Sequence, residues 1–300
     1  MRSIIAKVIQ ICNDLYKSHV STVLKPLPSP YKRYLQPSVF WSIRQGFPYW
    51  LSILLSFAAL TLPLLLWALV SYRGWITPIF LPTPIAVIQA GQKLLTEENL
   101  LLDIIASCAR VAAGFLVAAA IGIPVGVAMG TFHSMESLFS PIVGTVRYMP
   151  IAAFVPLIVL WAGLGELAKV IIIFLGIVFY NAIMIADAVK FIPDEMLNVA
   201  YTLGATRLDV LFRVILPGVL PSILDTLRVN IAGAWNFLVI SELIAAENGL
   251  GYKIVQSQRF LQTDKVLFSI AVIGLIGLLT DFAFKLLSNA ITPWAEQSRI

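Results

Sequence analysis

Two charged side chains stand inside long apolar runs of this sequence, and they are the first candidates for chemistry. Arg147 is the only charge in residues 141–163, and Glu242 lies in the apolar run 214–246. A charged group at membrane depth is costly and tends to face the interior of a helix bundle or a water-filled cavity. We therefore predict that Arg147 and Glu242 lie on a path or at a gate.

Such a path would suit a small anion, because guanidinium groups attract anions strongly in a low-dielectric environment. Binding there would have to be weak and transient, since a tightly held ion is not released. Trp235 and Asn236 precede Glu242 by a short distance and could line the same face. Three further cations are instead predicted to lie at the interface, to snorkel or to pair with acids: Arg110, Lys169 and Arg228.

The sequence does not indicate metal or nucleophile chemistry. The two cysteines, Cys12 and Cys108, and the two histidines, His19 and His133, have no metal-ligand spacing. The sequence has no GxxxxGK(S/T) phosphate loop, so we do not expect the chain to bind ATP and Mg²⁺ itself. A membrane-embedded enzyme would need a metal motif or a nucleophile–base pair. We therefore expect a chain without catalytic residues and without a cofactor of its own.

Residues 198–217 form a polar segment between apolar runs, and their pattern is that of an amphipathic helix. The apolar positions recur at steps of three and four: Ala200, Leu203, Leu208, Leu211, Phe212, Ile215 and Leu216. Gly204 predicts a sharp turn between two short helices. Pro217 predicts the end of the pattern, because proline cannot continue the hydrogen-bond ladder. The apolar stripe could fit either a groove on another protein or the lipid headgroups.

The composition indicates what positions these residues. The 300 residues are 59% hydrophobic and 12% charged, whereas a soluble domain has about 25% charged residues. Apolar runs of about 20 residues can cross a bilayer as helices. Six such spans are predicted: 51–70, 111–130, 141–163, 170–186, 214–246 and 266–287. The predicted fold class is all-α, a polytopic membrane protein with about six transmembrane helices.

Charge predicts the orientation of these spans. Residues 1–50 carry seven Lys or Arg and one acid, and the positive-inside rule assigns such a segment to the cytoplasm. The net charge of +5 therefore gives no reason to expect nucleic acid as a partner. We predict a basic cytoplasmic segment, a transmembrane domain with a cytoplasmic loop, and a cytoplasmic tail: 1–50, 51–292 with the loop at about 190–217, and 293–300. The segments 71–103 and 247–265 are predicted to lie outside.

Two local patterns concern packing. Residues 80–95 predict an external amphipathic helix, with Thr83 as its N-cap and Pro84 as its first residue. Small residues recur on one face of the second span at intervals of four, and we interpret them as a close contact with a neighbouring helix: Ala118, Gly122, Gly126 and Gly130.

The polar segment resembles the EAA loop of ABC-importer permeases. In that family, Glu-Ala-Ala is followed by three residues, Gly, nine residues and Ile-x-Leu-Pro. Here Asn198-Val199-Ala200 is followed at the same spacings by Gly204 and by Val214-Ile215-Leu216-Pro217. Gly204, Leu216 and Pro217 match the pattern, and Asn198 and Val199 depart from its leading Glu-Ala. The resemblance implies coupling helices that dock into a cleft of an ATPase subunit. The implied coupling residues are Ala200, Gly204, Leu208, Leu211, Phe212, Leu216 and Pro217.

Other stretches are similar to the nitrate/sulfonate/taurine/bicarbonate branch of that family: "LPTP", "SCARVAAGFLVAAAIGIPVGVAMG", "PIAAFVPLIVLWAGLGELAKV" and "SELIAAENGLGY". This resemblance implies a type I ABC-importer permease in the bacterial inner membrane, with a small anion such as nitrate, bicarbonate or a sulfonate as substrate. The implied partners are an ATPase subunit that binds ATP and Mg²⁺, a periplasmic or lipid-anchored substrate-binding protein, and a second copy of the chain.

The alternative is an ion-coupled secondary transporter without an ATPase partner. Such a protein is expected to have acidic residues near the middle of the membrane and often an inverted repeat. Asp187 and Glu242 give this alternative little support, and the sequence has no evident repeat.

Overall fold

The structure is a computed structural model that describes residues 48–298, apart from the side chains of residues 244, 245 and 296–298. Within this range the chain is helical and has no strand. It falls into two compact units that divide between Leu64 and Leu65, inside the first helix. The basic segment predicted for residues 1–50 lies almost entirely outside the described residues.

The helices are, in chain order, α1 (Tyr49–Tyr72), α2 (Pro84–Thr96), α3 (Leu100–Thr131), α4 (His133–Val146), α5 (Ile151–Ala162), α6 (Glu166–Lys190), α7 (Asp194–Thr202), α8 (Arg207–Val210), α9 (Leu216–Ala245), α10 (Leu250–Arg259) and α11 (Thr263–Ile291). A π-helical turn, Leu211–Ile215, joins α8 to α9, and a 3₁₀ turn, Pro293–Ser298, follows α11.

Five of these stretches are long and apolar enough to cross a membrane: α1, α3, α6, the run Arg207–Leu243 and α11. The pair α4 and α5 makes a sixth span if it is taken as one bent span. These helices confirm the predicted all-α class with about six spans.

The third predicted span, 141–163, is not one straight helix. α4 and α5 meet at an angle of 99° across a short break. Pro150 explains the break, because proline supplies no N–H to the helical ladder and disfavours helical backbone at the preceding residue, Met149. The prediction that Arg147 lies inside a continuous span is therefore wrong. Arg147 caps the C-terminal end of α4.

The helix continues through Pro217, although the sequence predicts an end there. Pro217 is the second residue of α9, directly after the π-helical turn. In that turn the hydrogen bonds reach back five residues, as in the bond from the Leu216 N–H to the Leu211 carbonyl. The wider turn relieves the clash between a proline ring and the carbonyl four residues earlier. The prediction that Pro217 ends the helical pattern is therefore wrong.

α3 and α6 cross closely at the centre of the second unit. A Cβ added to Gly126 would lie 2.7 Å from the Ala182 carbonyl oxygen, and one added to Gly130 would lie 2.7 Å from that of Ala186. These are backbone atoms, which cannot move aside as a flexible side chain can. The stripe of small residues is thus confirmed as a close helix contact, and α9 packs on the same core.

The short helix α2 begins as its sequence predicts. Oγ1 of Thr83 accepts a hydrogen bond from the Ala86 N–H at 3.3 Å, and Pro84 is the first helical residue. α2 packs against α11, where Gly91 leaves room for the ring of Phe268.

Candidate functional site

The segment predicted to couple to an ATPase begins with α7, which ends in a Schellman motif. Gly204 has a φ of +87°, a backbone conformation that side chains other than glycine adopt at a cost. Its N–H donates to the Tyr201 carbonyl at 2.9 Å, and the N–H of Ala205 donates to the Ala200 carbonyl at 3.0 Å. This pair of bonds satisfies two terminal carbonyls of α7 and reverses the chain. The predicted sharp turn at Gly204 is confirmed.

A capping box starts the next helix immediately after this turn. Oγ1 of Thr206 accepts from the Asp209 N–H at 3.3 Å, and the Thr206 N–H donates to Oδ2 of Asp209 at 3.1 Å. Arg213 lies 3.4 Å from the same carboxylate. The two helices are thus fixed on both sides of Gly204. The Thr-x-x-Asp spacing is a recognisable capping signal that the sequence analysis missed.

The apolar side chains of the coupling segment divide between two sides. One group packs against the hydrophobic core of the second unit: Ala200, Leu211 and Leu216. The other group is exposed, from 53% for Met196 to 83% for Leu203, and we call it the coupling ridge: Met196, Val199, Leu203, Leu208 and Phe212. Met196 and Val199 were not among the predicted site residues, although the steps of three and four extend back to them.

A shallow apolar groove of about 380 Å³ runs along this surface, lined by Glu195, Met196, Val199, Ala200, Leu203 and Val214. An exposed apolar surface bounded by fixed helix caps is unusual where nothing covers it, and such surfaces mark sites of interaction with protein or membrane.

The second candidate region is a cavity at the break between α4 and α5, which we call the break cavity. It has a volume of about 340 Å³ and lies between residues 146–151, α5, α6 and α9. Its polar groups come from Arg147, Tyr148 and Tyr180, and its apolar wall from Phe154, Leu175, Phe179 and Phe237.

Two tyrosines hold Arg147 at this cavity. The Tyr180 hydroxyl donates to the Arg147 carbonyl at 3.2 Å, and Tyr180 stands near the middle of α6. Nη2 of Arg147 donates to the Tyr148 hydroxyl at 2.7 Å, and the guanidinium lies 4.5 Å from the centre of the Tyr148 ring. The Nε atom of Arg147 is buried and has no hydrogen-bond partner in the described part of the chain. The guanidinium therefore keeps unused donor capacity at the break cavity.

Glu242 stands in a different environment. It is 1% exposed and accepts hydrogen bonds from Ser107 at 2.7 Å, from Arg110 at 2.6 Å and from the Gly251 N–H at 2.7 Å. The Gly251 amide belongs to the first turn of α10, so the carboxylate also caps that helix. In this arrangement Glu242 ties α3, α9 and α10 together.

Arg110 joins the same network to α6. It forms a two-point ion pair with Glu166, at 2.6 and 2.7 Å, and it also donates to the carbonyl and to the side chain of Asn248. Lys169 pairs with Glu166 at 2.8 Å. Outside this network Arg228 pairs with Asp281 at 2.6 Å. Of the three alternatives predicted for Arg110, Lys169 and Arg228, the structure shows pairing with acids.

The remaining path candidates do not line the break cavity. Trp235 is 5% exposed and packs in the core. Asn236 is exposed and donates weakly to the Ala232 carbonyl at 3.4 Å. Trp235 and Glu242 lie on the buried side of α9 and Asn236 on the exposed side, so the prediction of one shared face is wrong. A role for these three residues in the path stays a prediction.

The described residues thus form apolar helices long enough to cross a membrane, a bent helix pair beside the break cavity and an amphipathic segment with an exposed ridge. These features are compatible with a membrane transport subunit. A protein-family model described as "binding-protein-dependent transport system inner membrane component" matches residues 122–293. The chain belongs to this family.

Relatives of known name agree. The taurine transport system permease protein of Escherichia coli is 37% identical over 247 residues, which cover 81% of this chain and 90% of that protein. The putative aliphatic sulfonates transport permease protein of Bacillus subtilis is 31% identical, covering 76% and 83%. The nitrate import permease protein of Leptolyngbya laminosa is 29% identical, covering 70% and 78%. The resemblance to ABC-importer permeases of the nitrate, sulfonate and taurine branch is confirmed, and with it the assignment to transport subunits, which are not themselves enzymes.

Solved structures agree on the fold. The inward-facing MetNI methionine ABC transporter has a TM-score of 0.59 at 20% identity, covering 64% of this chain and 96% of that one. A bacterial alginate ABC transporter has a TM-score of 0.54 at 14% identity, covering 81% and 96%. The fold is that of a type I ABC-importer permease, and the chain is a multi-pass component of the inner membrane.

Proposed function

We propose that this chain is the permease subunit of an importer that moves a small anion of the taurine, sulfonate or nitrate class into the cell. Hydrolysis of ATP, with its Mg²⁺, takes place on a separate ATPase subunit that docks on the coupling ridge. A periplasmic or lipid-anchored binding protein delivers the anion, and a second copy of the chain completes the path. The N-terminus and the coupling segment lie in the cytoplasm.

The coupling ridge is the observation that carries this proposal. Its side chains are 53% to 83% exposed, while neighbouring residues of the same segment are packed into the core. Because the segment packs on the core with one side and is exposed on the other, a movement of a docked partner is transmitted to the helices of the core. The run from α8 into α9 provides the rigid connection, because the helix is continuous through Pro217.

The capping geometry favours a protein partner over lipid headgroups. A helix that lies on a membrane surface needs only one apolar face. The coupling segment in addition has a Schellman turn at Gly204 and a capping box at Thr206. These two devices fix the angle between α7 and α8, and residues of α7 line a shallow groove on that surface. A fixed shape of this kind suits a docking site for a complementary protein surface.

The proposed substrate class rests on the relatives' names and on Arg147. Three relatives are named for taurine, aliphatic sulfonates and nitrate, all of which are anions or carry an anionic group. Arg147 lines the break cavity and has no ion pair with an acidic side chain within the described residues. A guanidinium that is not neutralised by the protein attracts an anion entering the path.

The test is uptake by proteoliposomes that contain the permease, its ATPase and its binding protein. We expect labelled taurine, an alkanesulfonate or nitrate to accumulate when ATP is supplied on the ATPase side, and not when a non-hydrolysable analogue replaces it. Uptake of none of these anions under any of these conditions would refute the proposal. Uptake driven by an ion gradient without the ATPase would favour the secondary transporter.

A further inference from the structure

The break cavity combines two positive features on one wall. The first is Arg147, whose Nε atom is buried without a hydrogen-bond partner among the described residues. The second is the N-terminus of α5, a 12-residue helix that no side chain caps. Its N-cap Pro150 and its first residue Ile151 line the same cavity as Arg147. Free amides and the helix dipole at such an end favour an anion.

The rest of the cavity wall is apolar. It is formed by the rings of Phe154, Phe179 and Phe237 and by Leu175. Among the described residues, no acidic side chain lines the cavity. A ligand that satisfies both parts of the wall carries a compact anionic head and a short apolar group. Nitrate and bicarbonate have the head alone, whereas an organic sulfonate has both.

A second, smaller cavity of about 200 Å³ continues along α6 and α9. It shares Gly176, Tyr180 and Phe237 with the break cavity and adds Asn230. The Asn230 amide donates to Oδ1 of Asn181 at 2.7 Å, and Nδ2 of Asn181 is buried without a partner in the described part of the chain. Asn230 is thus a polar side chain in the smaller cavity, next to the break cavity that Arg147 lines.

We infer that the break cavity is a transit binding site for an organic monoanion with a short apolar group, such as an alkanesulfonate or an arenesulfonate. Arg147 and the N-terminus of α5 hold the anionic head, and the phenylalanine rings hold the apolar group. The site lies in the permease itself, so it selects among anions after the binding protein has released them. This inference rests on the proposed function.

The experiment measures ligand binding to the permease–ATPase complex in lipid nanodiscs, without the binding protein, by isothermal titration calorimetry. The probes are methanesulfonate, butanesulfonate, benzenesulfonate and nitrate, with butylammonium as the cation that matches butanesulfonate in size. We expect the affinity to rise about threefold for each added methylene group from methanesulfonate to butanesulfonate. We expect butylammonium not to bind and nitrate to bind more weakly than any of the sulfonates.

The matched variants are Arg147→Gln, Arg147→Lys and Arg73→Gln, the last at an exposed arginine just after α1. Arg147→Gln should weaken butanesulfonate binding by about tenfold or more, because a charged hydrogen bond is lost. Arg147→Lys should retain part of the affinity, and Arg73→Gln should retain all of it. Co-purification of the ATPase at the wild-type ratio confirms that each variant is folded.

Three results would overturn the inference: wild-type complex that binds no sulfonate, equal binding of butanesulfonate and butylammonium, or unchanged binding by folded Arg147→Gln. The second result would identify the cavity as a merely apolar space that lipid tails can fill. The proposed function is tested separately, by ATP-driven uptake in the wild-type system. If uptake is present and cavity binding is absent, the inference fails while the proposed function stands.

Discussion

At the residue scale, the charged side chains of the apolar helices and of the break differ in whether they form an ion pair. Arg110, Lys169 and Glu242 are at most 4% exposed, and their partners lie within 2.8 Å. These pairs share members, because Arg110 contacts both Glu166 and Glu242 and Glu166 also contacts Lys169. Removing Glu242 therefore leaves Arg110 with Glu166, whose side chain is 62% exposed. Arg147 has tyrosine neighbours instead of an acid. The first group holds helices together, whereas the proposed function assigns Arg147 to the anion.

Glu242→Ala tests this division. We expect it to lower the stability of the permease by about 1–3 kcal/mol, because the Ser107 hydroxyl and the Gly251 N–H lose their buried acceptor while Arg110 keeps Glu166. The measurement is thermal unfolding of the purified permease in detergent, monitored through its aggregation. Asp281→Ala removes the partner of Arg228 in a half-exposed pair and serves as the control, with little change expected.

A path role for Glu242 predicts the opposite pattern. The variant would then be as stable as wild type and would have lost transport alone. Normal thermal stability of Glu242→Ala would contradict the structural role of Glu242 and favour a role in the path.

The residue types could be predicted from the sequence, but their pairing could not. Arg147 and Glu242 both stand out as charges in apolar runs, and the pattern assigns them the same role. Their environments differ because Arg110 contacts Glu242 across 132 positions of the sequence. A single sequence, read without an alignment, carries no signal of that contact. The Phe154 and Phe179 walls of the break cavity were missed for the same reason, since phenylalanine in a span indicates only burial.

At the element scale, two backbone features, each made possible by glycine, determine how the helices pack and turn. One is the crossing of α3 on α6, where glycines admit the neighbouring backbone. The other is the turn at Gly204, where a positive φ sets the angle between α7 and α8. The first should matter for folding and the second for coupling.

The crossing predicts a contrast between two Gly→Ala substitutions. At Gly126 the new Cβ would lie 2.7 Å from the Ala182 carbonyl oxygen and 2.8 Å from Cβ of Ile185, whereas at Gly274 in α11 nothing lies within 4 Å. Overpacking of this kind costs about 1–3 kcal/mol. We expect Gly126→Ala to lower the thermal stability and the yield of folded permease, and Gly274→Ala to lower neither. Equal stability of the two variants would show that the helices can separate freely.

The turn predicts a graded series at Gly204. Nothing lies within 4 Å of an added Cβ there, so any effect comes from the backbone, with a strain of about 1–2 kcal/mol for a residue other than glycine. Gly204→Val should reduce co-purification of the ATPase and substrate-stimulated hydrolysis. Gly204→Asn should retain more of both, because asparagine tolerates positive φ. Wild-type values for the valine variant would remove the turn from coupling.

The positions of the spans could be predicted from apolar run length, but their continuity could not. Pro150 and Pro217 look alike in sequence, and the helix breaks at the first and continues through the second. The π-helical turn before Pro217 makes the difference, and it depends on packing against the core rather than on residues 211–215 alone. The positive φ at Gly204, in contrast, followed from local backbone sterics.

At the scale of the whole molecule, orientation is the property that ties the two candidate regions to their partners. The proposed function requires the coupling ridge to face the ATPase and residues 247–265, which are predicted to lie outside, to face the binding protein. The run of charge in residues 1–50 predicts this orientation, although that segment lies outside the described residues.

Single-cysteine labelling tests the orientation. In a background without Cys12 and Cys108, Phe260→Cys, at a side chain that is 71% exposed, should react with a membrane-impermeant maleimide in intact cells. Leu203→Cys, which is 83% exposed, should react only after the inner membrane is permeabilised. The reverse pattern would invert the topology and place the ridge away from any ATPase.

The central claim is that the coupling ridge is where an ATPase drives this permease, and two exposed ridge residues test it most directly. The measurement is ATP-driven uptake of taurine or butanesulfonate by proteoliposomes, together with the amount of ATPase bound, for wild type and for Leu208→Asp/Phe212→Asp. Both side chains are more than 60% exposed, so the permease should fold normally. We predict that the variant loses both the ATPase and the uptake. Wild-type uptake and a wild-type amount of bound ATPase in the folded variant would contradict the claim.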